Sequence, residues 1–205
     1  GYCVSDNIFA DVTGNNLPDM VISRICATNQ IELEVMINKF IDYESSPPVS
    51  PNFYQNPITS VGWSSGTINQ LYIEVVGGFW KNILNKEPTR INEIISGDPS
   101  VDPWTTNPEY IPLVEYFGPN GLGYIPEMPG ELGGWTGGSA SLINEAINQG
   151  AFMLIHKSQG NSTGWAVPTY TTIDINGLTN EYPVFVLSTD CLTGKFNSSQ
   201  ECFAE

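Results

Sequence analysis

Short apolar runs and amphipathic stretches set the expected order of secondary structure along the chain. The apolar runs are rich in β-branched residues and predict buried parallel strands. They cover residues 19–26, 58–63, 151–156 and 182–190. Helical spacing of apolar side chains predicts helices over residues 28–44, 68–84 and 139–148. This alternation is typical of one α/β domain, with helices on both faces of a mostly parallel sheet.

Two segments between these elements carry no regular pattern. The prolines of residues 45–57 favour a linker, because proline disrupts regular hydrogen bonding. Residues 87–138 are rich in Pro, Gly and Trp, and they predict a surface insertion that shapes a cleft. We therefore expect residues 1–205 to form a single domain with an insertion at 87–138.

The net charge of the chain limits the classes of molecule that it can bind. Seven Lys and Arg against 22 Asp and Glu give a formal net charge of −15, which repels phosphate backbones and argues against nucleic-acid binding. No apolar run approaches the roughly 20 residues that a membrane-spanning helix needs. The acidic, loop-rich composition favours a soluble extracellular protein, and the opening residues suggest a processed chain or a fragment of one.

The candidate reactive residues lie where two predicted strands end. In parallel sheets, working residues gather beyond the carboxyl ends of the strands. There the sequence places His156, the only histidine, followed by Gln159, and on the other strand Cys191. Cys191 is a candidate nucleophile, because a strand end can hold a thiol rigidly at a cleft. The alternative is an inert buried cysteine, a common fate of this residue type.

Two segments resemble the gingipain family of cysteine endopeptidases, which have a caspase-like fold. Residues 5–44, from "SDNIFADVTGNNLPDM" to "FIDYE", resemble the family's entry strand and helix, and residues 183–205, "PVFVLSTDCLTGKFNSSQECFAE", resemble its nucleophile strand. The resemblance implies that Cys191 attacks a peptide carbonyl while backbone N–H groups stabilise the oxyanion. It also implies that Asp19 orients the catalytic histidine, although a turn residue before a strand is the alternative.

The histidine departs from the family pattern. That pattern is His-Gly with a Trp six residues after the His, and counting back from Trp165 gives Gln159, followed by Gly160. Glutamine cannot act as a base near neutral pH. His156 lies three residues earlier, which in an extended strand is roughly 10 Å away and on the other face. The interpretations are an impaired peptidase, an active one that uses His156, and a non-catalytic structural or binding module in an extracellular assembly.

The resemblance places Gly160 and Trp165 beside the active site as substrate-binding residues. Asp11, Thr13 and Asn15 form a weak Ca²⁺ candidate, because carboxylate, hydroxyl and amide oxygens can ligate this ion. A hydrogen-bonded Asx turn is the alternative for that loop. No cofactor is otherwise required.

Cysteine spacing is uninformative about disulfides. Cys3, Cys26, Cys191 and Cys202 are too few for a disulfide framework, and their pairing stays open. The family continues beyond the segment that ends at Glu205, so the domain is expected to be incomplete at its C-terminus. We therefore expect a second chain, or an oligomer or filament partner, besides a peptide or protein substrate or ligand. The resemblance favours an extracellular or cell-surface location.

Overall fold

A computed structural model describes residues 6–197 and 200–204. Its helices are α1 (Asn7–Ala10), α2 (Gln30–Ser45), α3 (Pro51–Gln55), α4 (Asn69–Asn82), α5 (Ile111–Phe117) and α6 (Ala140–Asn148). Its strands are β1 (Ile58–Ser64), β2 (Thr89–Ser96), β3 (Met153–Lys157), β4 (Gly160–Asn161), β5 (Gly164–Ala166), β6 (Thr169–Thr171) and β7 (Phe185–Ser188).

The main sheet has the strand order β2-β1-β3-β7, and every neighbouring pair in it is parallel. This confirms the predicted α/β class. β1 is buried along almost its whole length, as expected for a strand covered on both faces. β4, β5 and β6 form a small antiparallel sheet directly after β3, which the sequence pattern did not predict.

The two faces of the main sheet carry separate apolar clusters. One combines Val61, Trp63 and Ile155 of the sheet with Leu71, Ile73 and Trp80 of α4. The other combines Ile58 and Leu154 with Ile143 and Ile147 of α6. Neighbouring residues of one strand, such as Leu154 and Ile155, point to opposite faces. The sheet is thereby fixed between α4 and α6.

Helix predictions agree with the structure more closely than strand predictions. Asn29 caps α2, since its side chain accepts a hydrogen bond from the N–H of Glu32. Ser139 caps α6 in the same way through the N–H of Leu142. The helix predicted over residues 68–84 is α4, which is two residues shorter at its C-terminal end and one at its N-terminal end.

The buried strand predicted over residues 19–26 was wrong. The structure has no regular element there, and the side chain of Val21 is 97% exposed. No strand among residues 6–197 and 200–204 pairs with this segment. A β-branched run becomes a strand only where a neighbouring strand and a packed face receive it.

Two segment predictions also need correction. The first part of the predicted insertion, Thr89–Ser96, is β2 and belongs to the main sheet. Within the predicted linker, α3 begins at Pro51, a position where proline needs no N–H partner, and buries Phe53. The rest of the predicted insertion is anchored by Trp104 and Trp135, whose indole N–H groups donate to Pro126 O and Pro129 O at 2.9 Å each.

No helix in the described part of the chain combines the length and the apolar character that a bilayer crossing needs.

Candidate active site

The candidate site lies beyond the ends of β3 and β7. These strands are direct neighbours, with Met153 opposite Phe185 and His156 opposite Ser188. The residues that follow them therefore emerge side by side at one edge of the sheet. They include Gln159 and Gly160 after β3, and residues 189–193 after β7, which we call the cysteine turn.

Cys191 lies in the cysteine turn with an exposed side chain and a free thiol. The next residue, Leu192, has φ 62°, a left-handed conformation that is unusual for a non-glycine residue. The hydroxyl of Thr193 donates to Asp190 O at 3.2 Å across the turn. The chain thus reverses sharply at the thiol and presents it at the surface, as a nucleophile requires.

Gly160 lies directly against the cysteine turn, and Gln159 precedes it in the chain. Gln159 is exposed, and its carbonyl accepts a hydrogen bond of 2.8 Å from the N–H of Ala166. A methyl group on Gly160 would come within 2.8 Å of Asp190 Cβ and 3.2 Å of Cys191 O. Only glycine therefore permits this close approach of the two strand ends.

His156 is completely buried, at 0% exposure. Its Nδ1 lies 2.7 Å from Asp190 Oδ2, and its Nε2 lies 3.1 Å from Val167 O. The ring stacks on Trp165 with 4.1 Å between centroids and 6° between planes. Both nitrogens of the only histidine are therefore engaged inside the protein.

These contacts give each nitrogen of the His156 ring a partner. A carbonyl oxygen only accepts, so Nε2 carries a proton and donates to Val167. Asp190 also accepts from the N–H of Ser158 at 2.6 Å and from the hydroxyl of Ser188 at 3.2 Å. Nδ1 faces this carboxylate, and the two side chains form a fully buried pair.

Asp190 is the site residue that the sequence analysis missed. Its side chain is fully buried although it directly precedes the exposed Cys191. The sequence did contain a signal, since an acidic residue at the end of an apolar strand and next to a candidate nucleophile needs a partner. The only histidine of the chain was the obvious candidate for that partner.

Trp165 lies beneath the site, with 2% of its surface exposed. Its indole N–H donates to the hydroxyl of Ser188 at 2.8 Å, and its ring covers His156. The resemblance expected a substrate contact here. The structure gives this side chain the contacts of a core anchor that fixes β7 and the histidine.

Asp19 lies in an exposed loop and accepts hydrogen bonds from the N–H groups of Val12 and Thr13, at 2.9 Å each. The hydrogen bond from the Thr13 N–H is the main cause that lowers the pKa of Asp19 below its ordinary value. The carboxylate in contact with His156 is that of Asp190, and the orienting role expected for Asp19 stays a prediction.

The candidate calcium loop is closed by hydrogen bonds to its own backbone. The Asp11 carboxylate accepts from the N–H of Gly14 at 2.7 Å, Asn15 at 3.1 Å and Asn16 at 2.7 Å. The hydroxyl of Thr13 donates to Asp19 at 3.0 Å. No cluster of three or more His, Cys, Asp or Glu suited to a metal occurs among the residues described. This geometry fits the Asx-turn alternative.

The remaining cysteines lie away from solvent or outside the described chain. Cys26 is half-buried and Cys202 is buried. Cys3 lies outside the residues that the structure describes.

Comparison with known proteins gives one consistent result. The whole chain, residues 1–205, matches the sequence profile of peptidase family C25. It is 21% identical over 203 residues to Lys-gingipain HG66 and to Lys-gingipain, both from Porphyromonas gingivalis. The match covers 98% of this chain and 10% of each relative, so the chain spans about a tenth of their length.

Solved structures show the same fold at low sequence identity. The Arg-specific cysteine proteinase gingipain R (RgpB) matches with a TM-score of 0.67 at 16% identity, over 98% of this chain and 38% of that chain. The complex of Porphyromonas gingivalis RgpB pro- and mature domains matches with a TM-score of 0.68 at 16% identity, over 98% of this chain and 40% of that one.

Proposed function

The chain belongs to peptidase family C25, and we propose that it is a catalytically impaired member whose thiol lacks a general base. The proposal rests on one observation: both ring nitrogens of the buried His156 are engaged, by Asp190 and by Val167. Meanwhile, Gln159 stands at the position of the catalytic histidine in the register of the family motif.

His156 is poorly suited to activate the thiol. To accept a proton, one ring nitrogen would have to leave its partner, and the ring would have to leave its stack on Trp165. Leaving Asp190 would strand a buried carboxylate, since the side chain has no exposed surface. Breaking a buried pair of this kind typically costs about 3–5 kcal/mol.

Gln159 cannot replace the imidazole. Its amide can donate and accept hydrogen bonds, but it takes up no proton near neutral pH. An unassisted cysteine thiol is only a few per cent thiolate at pH 7. Loss of a general base typically lowers rates by about 10²–10⁴-fold, so we expect at most faint turnover of peptides.

We infer an extracellular or cell-surface location and a peptide or protein ligand. Membership of the peptidase family supports both statements, and the net charge of −15 supports the location. The exposed Cys191 and Gln159 would lie along the bound peptide. Under this proposal the chain still binds peptides as a peptidase does, but it hydrolyses them very slowly.

We also infer a second chain beside β7. This strand is at the edge of the main sheet, and its side chains Phe185, Val186 and Leu187 are 64%, 41% and 37% exposed. Exposed apolar edges favour pairing with another strand. Size-exclusion chromatography with mass spectrometry tests this inference, and a stable monomer of this chain alone would contradict it.

Thiol reactivity tests the impaired site. Cys191 is alkylated with iodoacetamide at about pH 6, where an ordinary thiol with a pKa of roughly 8.5 is mostly protonated. We expect a rate close to that of free cysteine, and no cleavage of a mixed peptide library above a Cys191→Ser control. A much faster rate that disappears in His156→Gln would support the alternative of an active peptidase that uses His156.

A further inference from the structure

We propose that the His156–Asp190 ion pair positions the cysteine turn, so that the histidine of this chain serves as a buried counter-ion and not as a base. Asp190 and Cys191 are adjacent in the chain, so contacts that hold the Asp190 carboxylate also restrain the backbone that carries the thiol.

The Asp190 carboxylate joins the ends of both strands. Oδ2 meets the His156 ring on β3 at 2.7 Å, and Oδ1 accepts from the N–H of Ser158 at 2.6 Å. Ser158 is the residue immediately before Gln159. One buried carboxylate therefore sets the position of the thiol-bearing residue and of the residue at the base position.

Backbone contacts also join the end of β3 to the start of the cysteine turn. The N–H and the hydroxyl of Thr189 both donate to His156 O, at 3.0 and 2.9 Å. Leu192 keeps φ 62° just beyond the thiol, a strained conformation that persists only where its surroundings enforce it. His156 thus holds the start of the cysteine turn through its backbone and through its ring.

Because both side chains are buried, each charge of this pair depends on the other. Both side chains have 0% exposure, so removing either charge leaves the other without its counter-charge in a site that solvent does not reach. Among the ion pairs of the described residues, Glu74–Arg90 on α4 and β2 is the nearest in burial, with side chains 5% and 21% exposed. That pair offers a matched control, because neither residue belongs to the site.

The protonation of the His156 ring gives a test that is independent of turnover. In the intact 205-residue chain, which has one histidine, heteronuclear NMR near neutral pH should show protons on both ring nitrogens. Asp190→Asn should remove the Nδ1 proton, whereas Glu74→Gln should leave both. A singly protonated ring in the unsubstituted chain, or an unchanged ring in Asp190→Asn, would overturn the ion-pair assignment.

A kinetic test examines positioning itself, and it rests on the proposed function because it starts from Gln159→His. In that background, Asp190→Asn should lower kcat by about 10–100-fold with little change in KM, since a misplacement of about 1 Å can cost roughly 10²-fold. Glu74→Gln should leave kcat unchanged. An unchanged kcat in Asp190→Asn would overturn the positioning role.

Two outcomes keep the proposals separable. If Asp190→Asn does not fold, Ser188→Ala keeps both charges and removes the hydroxyl that donates to Asp190 and accepts from the Trp165 indole. This variant should lower kcat several-fold in the same background, and an unchanged kcat would count against positioning. If Gln159→His gives no turnover, the proposed function fails, and the ring protonation in Asp190→Asn alone decides whether the ion pair exists.

Discussion

Asp190 Oδ2 and His156 Nδ1 lie 2.7 Å apart, between two side chains that solvent does not reach. The pair joins two neighbouring parallel strands at the edge of the sheet that carries the candidate site. In the proposed function, this pairing engages the only histidine of the chain.

Removal of the histidine should destabilise the fold strongly. His156→Ala leaves the Asp190 carboxylate buried and unpaired, so the free energy of unfolding should fall by about 3–5 kcal/mol. Urea denaturation measures this loss. Lys157→Ala is the control on the same strand, because the contact of the Lys157 ammonium with the Tyr72 ring, 5.5 Å from its centroid, is worth about 1 kcal/mol or less. Equal losses in the two variants would contradict the buried ion pair.

A methyl group on Gly160 should push the two strand ends apart. The new Cβ would lie 2.8 Å from Asp190 Cβ and 3.0 Å from Thr193 Cγ2, so Gly160→Ala should cost about 1–3 kcal/mol. Gly194→Ala is the matched control just beyond the cysteine turn, since apart from its chain neighbours none of the residues described lies within 4 Å of its Cβ position. Thermal or urea unfolding compares the two. A Gly160→Ala variant as stable as Gly194→Ala would show that the close approach is absent.

Tyr170 should make stability depend on pH in the alkaline range. Burial, and then the nearby charge of Asp174, raise the pKa of Tyr170 from 10.0 to about 12. A neutral phenol is favoured in the folded state, so this contribution is complete below pH 10 and is lost as the pH rises towards 12. Ultraviolet absorbance of the phenolate follows the titration. Tyr170→Phe should remove one phenol that ionises only near pH 12. If the same high-pH titration step is still seen in that variant, the raised pKa does not belong to Tyr170.

The sequence predicts much of the sheet and helices because those elements depend on local periodicity. β1, β3, α2, α4 and α6 follow from apolar spacing and caps alone. The strand expected over residues 19–26 fails because its pairing depends on a neighbour that the apolar run does not specify. β2 was not predicted because its sequence, TRINEIIS, shows neither a continuous apolar run nor a strict alternation, and it lies inside a Pro- and Gly-rich stretch.

The candidate site is predictable only in part, for a related reason. Position at strand ends singles out Cys191, Gln159 and His156, and the motif register separates the last two. The partner of His156 is 34 residues away in sequence, so only the parallel pairing of β3 and β7 brings Asp190 to it. Trp165 illustrates the same limit, because a motif gives its place in the chain but not the face on which its ring packs.

Peptide hydrolysis by the Gln159→His variant tests the central claim most directly. Installing an imidazole at the base position should raise turnover of a mixed peptide library by about 10²–10⁴-fold over the unsubstituted chain, the usual contribution of a general base. The gain should vanish in Gln159→His with Cys191→Ser. Efficient hydrolysis by the unsubstituted chain, abolished by Cys191→Ser and unaffected by Gln159→Ala, would contradict the account.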